Sequence, residues 1–523
     1  MSTGDTKEGG FSRRSALKVF GTAAAATPII GQAASAGAAT PQLLVTRSRS
    51  NVPPAEGLHL TFGADPSREM VASWLTDGPV RNPRVVFGGP EGGFGSSVQA
   101  QTQTYVDGVS GHEVYVHHAR MHGLRPDADY IYAVQHDGAR PDAGTFHTAP
   151  RGRVPLTFTS FGDQSVPNVT WQPDGNGGYN PVLNANATPA SVDVVSGLEK
   201  INPLFHLLNG DLCYANLDPD RVRTWNSFFA NNTRSARYRP WMPAAGNHEI
   251  EKQNGVLGLS AYQTYFSLPS TETDAELAGL WYSFTAGSVH VISVQNDEVA
   301  LQDGGDIYIR GYSGGRQRAW LENELRRARA SRDIDWIVVC MHQVMLSSAD
   351  ANGCDLGIRE AWGPLFDQYE VDLVLCGHEH DYERTLPVRG VVAGSETLTP
   401  RPSASDTKLI NSENGTTHMV LGGGGVSGTT NQSFFPADKA KVITSVGAPG
   451  ANGKRPAVYV FEQTPWQAVR DSEHPYGFAA FTVDPGHSPG STTSMHVNYF
   501  NVGKPDGELH LFESFTLQRR RSD

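Results

Sequence analysis

The stretch EVDLVLCGHEHDYER, Glu370 to Arg384, sets the reading of the chain. An apolar run ends at Cys376, and a glycine then releases two histidines one residue apart among acids. In extended backbone, side chains at i and i+2 point the same way, so His378 and His380 face one spot. Two neutral imidazoles aimed at one spot suit a metal ion. A polar loop with two solvated histidines is the alternative, and the remaining sequence decides between them.

Working outward, other apolar segments end in the same manner. LTFTSFGDQS, PLFHLLNGDLCYA and WIVVCMHQ each close on a polar turn, and GNHE follows PWMPAA. Helical periodicity appears between them, in ASVDVVSGLEKI and in Arg316 to Ser331. Strands alternating with helices predict an α/β layered unit from about residue 151, with ligands at the C-terminal strand ends. Strand signals return beyond about residue 388, in GTTHMVLGGGG, FAAFTVD, MHVNYFN and ELHLFESFTL, and are expected to complete that unit as far as residue 523. Gly422 to Gly425 read as a tight loop, since no helix follows to make a phosphate cradle.

Residues 52–150 have a different pattern: short strands with alternation, aromatic and β-branched residues and regular turns. This predicts a small all-β sandwich. Leu124-Arg125-Pro126 followed by Tyr130 resembles the tyrosine corner of fibronectin type III domains, and Trp74 is expected in the core. His117 and His118 are adjacent in a strand, cannot share a face and are not read as a metal pair.

The bulk properties bound the function. At 523 residues, two or three domains are expected. The net charge of -12 argues against nucleic acid as the partner, but not against a small phosphate ester beside a metal. Residues 1–38 read as a twin-arginine export signal: Arg13 and Arg14, a modest apolar run from Val19 to Ile30, then small residues. The run is too short for a stable membrane span. Residues 39–51 read as a linker. The four cysteines, Cys213, Cys340, Cys354 and Cys376, contain no C-x-x-C pair and are expected as small core residues, a disulfide being the alternative.

Five motifs now stand in order: GDQS (Gly162–Ser165), GDLCY (Gly210–Tyr214), GNHE (Gly246–Glu249), MHQ (Met341–Gln343) and GHEH (Gly377–His380). As a set they resemble the purple acid phosphatases of the calcineurin-like metallophosphoesterases, over most of the chain. The resemblance implies a four-layer metallophosphoesterase β-sandwich flanked by helices, preceded by a fibronectin III-like domain. It implies one metal on Asp163, Asp211, Tyr214 and His380 and a second on Asp211, Asn247, His342 and His378, with Asp211 bridging. Two carboxylates and a phenolate suit Fe(III), whereas an amide and two imidazoles suit Zn(II), Mn(II) or Fe(II). His248 is implied as the group that meets phosphate and protonates the leaving oxygen, with Glu249 orienting its ring. The implied activity is hydrolysis of phosphate monoesters by metal-bound hydroxide in an exported protein. A phosphodiesterase or phospholipase using the same site is the alternative enzyme, and a non-catalytic surface binding protein the alternative class.

Two departures from the family pattern bear on substrate. The segment after His342, QVMLSSADANGCDLGIRE, has no histidine, leaving Ser347, Ser348, Asp350 and Asn352 as candidate phosphate contacts. Ser165 stands where the family usually has glycine. Val166 to Pro189, rich in Asn, Gly and Pro, reads as a rim loop. Asp381, Tyr382, Glu383 and Arg384 are expected to brace the last loop, and His206 to pack in a strand near the site.

Overall fold

The computed structural model describes residues 51–523 apart from 168–169, 174–178, 183–186, 303–308, 429–430, 451–454 and 504–506. The twin-arginine segment and all of the linker except Asn51 lie outside the described residues, as does part of the rim loop. Within that loop, Thr170–Pro173 pairs antiparallel with Tyr179–Val182.

The first hundred described residues form two four-stranded antiparallel sheets. One runs in the order Glu56–Phe62, Met70–Thr76, Glu113–Met121, Gln101–Val106; the other runs Ser96–Gln99, Arg84–Gly88, Asp129–Gln135, Asp142–His147. Trp74 is fully buried between them. The Arg125 N–H donates to Tyr130 Oη at 2.8 Å, which closes the tyrosine corner. Every residue of Met70–Thr76 is buried, on both faces of the strand. The outer face is covered by later segments of the chain: His59 stacks on Phe229 at 4.6 Å, and His118 Nε2 meets the Thr264 carbonyl at 2.9 Å. His117 faces the opposite side, held by Thr76 Oγ1 and Thr102 Oγ1.

Two seven-stranded sheets follow. The first has the order Trp241–Ala244, Phe205–Asn209, Leu156–Phe161, Gly477–Asp484, Thr492–Gly503, Glu508–Arg520, Leu409–Asn411. The second has the order Tyr282–Ala286, Val289–Ser293, Trp336–Cys340, Leu373–Cys376, Thr417–Leu421, Tyr382–Thr385, Gln467–Asp471. In the first sheet the three strands at one end, Trp241–Ala244, Phe205–Asn209 and Leu156–Phe161, are parallel. In the second the four strands from Val289–Ser293 to Thr417–Leu421 are parallel, buried and rich in Val, Leu and Ile, as strands covered on both faces must be. The sheets pack face to face: Cys340 Sγ lies 3.0 Å from Asn209 Oδ1, and Trp336 Nε1 donates to Thr493 Oγ1. Helices Ala190–Ile201, Arg221–Ala236 and Arg316–Ala330 flank them; the first and third fall on the periodic segments read from sequence, and the second lies outside them. The β-rich tail completes the first sheet, with Gly477–Asp484 running antiparallel to Leu156–Phe161. All four cysteines are buried thiols. Among the described residues, no helix is long and apolar enough to cross a membrane.

Burial gives this architecture a pH dependence. It holds His59 down to about 4 and His118 down to about 3, against an ordinary value near 6.5. The unfolded chain therefore takes up protons that the fold refuses, and stability falls as pH drops from 6.5 toward those values. Each such histidine contributes a slope of about 1.4 kcal/mol per pH unit in that window. Urea titrations of His118→Gln between pH 6.5 and 4 should show a slope shallower by about that amount. Equal slopes in variant and parent would contradict the assignment.

Candidate metal centre

The parallel strands deliver the five motifs to one place. Asp163 follows the Leu156–Phe161 strand by two residues, Asp211 follows Phe205–Asn209 by two, and Asn247 follows Trp241–Ala244 by three. His342 and His378 each follow their strands, Trp336–Cys340 and Leu373–Cys376, by two. The chain must turn sharply there. Asp163, Asp211, Tyr214 and His378 all have left-handed backbone, with φ of 59°, 52°, 60° and 74°. For non-glycine residues this costs about 1–2 kcal/mol each and persists only where the surroundings enforce it. The motif glycines make room: a Cβ on Gly246 would overlap Asp211 Oδ1, and one on Gly377 would overlap Asp163 Oδ2.

The side chains converge in two groups. In the first, Tyr214 Oη donates to Asp163 Oδ1 at 3.1 Å and lies 3.1 Å from His380 Nε2, which is 3.5 Å from Asp163 Oδ1. In the second, His342 Nε2 lies 3.0 Å from Asp211 Oδ2, 3.1 Å from Asn247 Oδ1 and 3.2 Å from His378 Nδ1. The two groups are adjacent, because the Asp163 N–H donates to the Gly210 carbonyl and the Gln164 N–H to the Asp211 carbonyl. Asp163, Asp211, Tyr214 and His342 are almost wholly buried. His248 sits at the mouth, partly exposed, its ring 4.4 Å from that of Tyr214 and its Nε2 3.9 Å from Asp211 Oδ2.

The electrostatics of this pit call for cations. Burial, with Asp211 adding to it, pushes Asp163 well above the carboxylate range. In Asp211 burial is outweighed by His342 and His248, and its carboxyl is held below that range. Burial disfavours the imidazolium of His342, but Asp211 overcomes it and raises the ring to about 10. Burial lowers His378 and takes His380 down to about 4, leaving both neutral. Burial, with Asp163 beside it, raises the Tyr214 phenol. The His342 tautomer carries the argument further. Its Nδ1 is committed to the Asn209 carbonyl at 2.8 Å, so Nε2 turns toward a carboxylate oxygen and an amide oxygen. A proton or a cation must stand between such groups. The donor set, with hard oxygens on one side and neutral imidazoles and an amide on the other, fits two metal ions of unequal charge.

The supporting residues differ in part from expectation. Glu249 does not orient His248. It accepts the backbone N–H groups of Asp211, Leu212 and Gly246 at 2.7–2.8 Å and so ties the second and third motifs together. The ring of His248 is held instead by Asn216, whose Oδ1 lies 2.9 Å from Nδ1. Ser347 and Ser348 are withdrawn as phosphate contacts, because both are buried and give their hydroxyls to Glu383. Asn352 donates to the His378 carbonyl, and the Asp350 N–H to the Ser433 carbonyl. Sequence reading missed Gln302 and Asn431. Gln302 Oε1 lies 2.6 Å from His378 Nε2, and Asn431 Oδ1 3.1 Å from His380 Nδ1. Neither has a local sequence signal, since each reaches the site from a loop distant in sequence. Tyr382 and Arg384 both pair with Glu513, which braces the last loop as expected. His206 is buried in its strand against Thr159.

Comparison with known proteins agrees with this geometry. Residues 55–148 match the family described as Purple acid Phosphatase, N-terminal domain, and residues 185–382 match Calcineurin-like phosphoesterase. An uncharacterized protein of Mycobacterium tuberculosis is 53% identical over 99% of this chain and 98% of its own length. Human acid phosphatase type 7 is 30% identical, over 64% of this chain and 71% of its own. Among solved structures, a purple acid phosphatase from yellow lupin seeds superposes with a TM-score of 0.64 at 21% identity, over 89% of this chain and 75% of that one.

Ser165 yields a prediction from the site's backbone. It is buried with φ of 60°, and its hydroxyl has no hydrogen-bond partner among the described residues. Glycine adopts this conformation without penalty. Ser165→Gly should raise stability by about 1 kcal/mol, read as a higher denaturation midpoint. A lower midpoint would show that the hydroxyl is satisfied in solution.

Proposed function

The chain belongs to the purple acid phosphatases within the calcineurin-like phosphoesterases, and from that premise we propose that it is an exported hydrolase of phosphate monoesters working through two metal ions. The observation that carries this reading is the convergence of seven donors into two adjacent groups with His248 beside them. Asp163, Tyr214 and His380 would hold one ion, and Asn247, His342 and His378 the other. Asp211 would be shared. Fe(III) suits the first position and Zn(II), Mn(II) or Fe(II) the second. When bound, such a pair supplies Lewis acidity toward the phosphoryl oxygens and activates water for in-line attack.

The chain's own residues then have distinct tasks. Asn209 fixes the His342 tautomer through Nδ1, leaving Nε2 for the ion. Asn216 holds His248 Nδ1, which aims Nε2 toward the pit. From there His248 can bind a phosphoryl oxygen and pass a proton to the departing alkoxide, the step that matters most for poor leaving groups. Glu249 keeps the second and third motifs in register, so that Asp211 and Asn247 reach the same ion. The same reading treats residues 52–150 as a fibronectin III-like domain, residues 151–523 as the catalytic domain and residues 1–38 as the export signal.

The decisive measurements are metal content, turnover and colour. Asp211→Ala should lose metal and at least 10³-fold in kcat. His248→Ala should keep both metals and lose about 10²–10³-fold, most on substrates with poor leaving groups. Tyr214→Phe should abolish the visible phenolate-to-iron band of the parent. Faster turnover of bis(p-nitrophenyl) phosphate than of p-nitrophenyl phosphate would overturn the monoester assignment. Metal loss from the His248 variant equal to that from the Asp211 variant would overturn the division of roles.

A further inference from the structure

The segment after His342 spends its polar groups on the GHEH loop and the strand that follows it. Ser347 and Ser348 donate to Glu383, and the N–H groups of Asn352 and Gly353 donate to Glu379. Lys441, on the Ala440–Val446 strand, pins the segment by donating to the carbonyls of Asp350 and Ala351 at 2.8 and 2.7 Å.

The side chain of Asn352 continues the pattern. Its Nδ2 donates to the His378 carbonyl at 2.9 Å. A backbone carbonyl only accepts, so this contact decides which end of the Asn352 amide is nitrogen. Its Oδ1 then accepts from Gln302 Nε2 at 2.9 Å. That orients the Gln302 amide in turn, and Gln302 Oε1 stands 2.6 Å from His378 Nε2. An amide oxygen also only accepts, so the proton of the neutral imidazole sits on Nε2. His378 Nδ1 is left with a bare lone pair, 3.2 Å from His342 Nε2 in the pit. Gln302 is itself anchored, because buried Asp355 accepts its backbone N–H at 2.9 Å and that of Leu301 at 2.7 Å.

We propose that Gln302 and Asn352 are positioning residues: their amide relay presents His378 to the second ion through Nδ1 and sets how tightly that ion is held. This rests on the two-metal reading above, in which the second ion belongs to Asn247, His342 and His378. A hydrogen bond at the far nitrogen fixes the rotation of a ligand ring and raises the basicity of the near one. Losing such a partner typically costs about 10–100-fold in metal affinity. The relay is built from amides, so it adds no charge beside the buried carboxylates. The first ion has separate support. His380 Nδ1 meets Asn431 Oδ1 at 3.1 Å, and the other end of that amide donates to the Val426 carbonyl at 2.9 Å. The relay therefore acts on one ion of the pair. The same geometry gives Asn352, a candidate phosphate contact on sequence grounds, a task at the metal instead.

Titration of the iron-loaded full chain with Zn(II) tests this, read by metal content and by the visible phenolate-to-iron band. Gln302→Leu keeps much of the side chain's shape but removes the acceptor. It should weaken zinc about 10–100-fold while iron content and the band stay as in the parent. Gln302→Glu retains an acceptor for the Nε2 proton and should hold zinc within about threefold of the parent. Asn352→Leu leaves the Gln302 amide free to turn and should fall between the two. Equal zinc affinity in Gln302→Leu and the parent would overturn the proposal. So would a zinc loss that Gln302→Glu fails to restore, or a loss of iron alongside zinc. A raised KM with zinc affinity intact would overturn it as well, by making Gln302 a substrate contact. A parent that binds fewer than two ions would overturn the two-metal reading itself, and this proposal with it.

Discussion

Two carboxylates, Asp163 and Asp211, are buried side by side in the same pit, and the rest of the catalytic unit is arranged around that cost. An isolated carboxylate taken from water costs several kcal/mol, and a second one nearby adds repulsion. The chain compensates with backbone N–H donors to both groups, from His378 to Asp163 and from His248 to Asp211, and with imidazoles directed at their oxygens. This compensation is incomplete without cations, as the strong upward push on Asp163 shows. The left-handed turns that place these groups cost energy as well. They are affordable because two seven-stranded sheets, packed face to face, hold every strand end in position.

The resulting division of labour follows from geometry. Strand ends carry the donors, since parallel strands bring their C-terminal loops together whatever the sequence distance between them. Three imidazoles are held by amides from outside their own motifs: Asn216 on His248, Gln302 on His378 and Asn431 on His380, each able to give or accept a hydrogen bond without adding charge. Glu249 is the charged exception. Three backbone N–H groups surround it, so its charge is spent on holding loops rather than on tuning an imidazole.

Much of this was legible in the primary structure, for a physical reason. A donor that must follow a buried strand by two residues leaves a compact mark: an apolar run, a glycine and a polar side chain. Asp163, Asp211 and His378 carry that mark, His342 carries it with Met341 in place of the glycine, and Tyr130 with Leu124-Arg125-Pro126 carries the comparable one for the N-terminal sandwich. What stayed hidden was long-range. Ser347 and Ser348 look available in the sequence, and only the fold turns them inward to Glu383. Nothing within Met70–Thr76 announces that later segments of the chain cover its outer face. Gln302 and Asn431 have no neighbouring residue that announces them.

One modest contact extends further than its size suggests. Gln164, directly after Asp163, exchanges two amide hydrogen bonds with Asn232 on the Arg221–Ala236 helix. The same helix sends Phe229 against His59 and the Thr233 hydroxyl to the Leu58 carbonyl of the first strand. The amino-terminal sandwich is thereby wired, through one helix, to a loop at the reaction pit. It behaves as a wall of the enzyme rather than as a detachable adaptor, and grafting or trimming it would disturb chemistry performed elsewhere in the molecule.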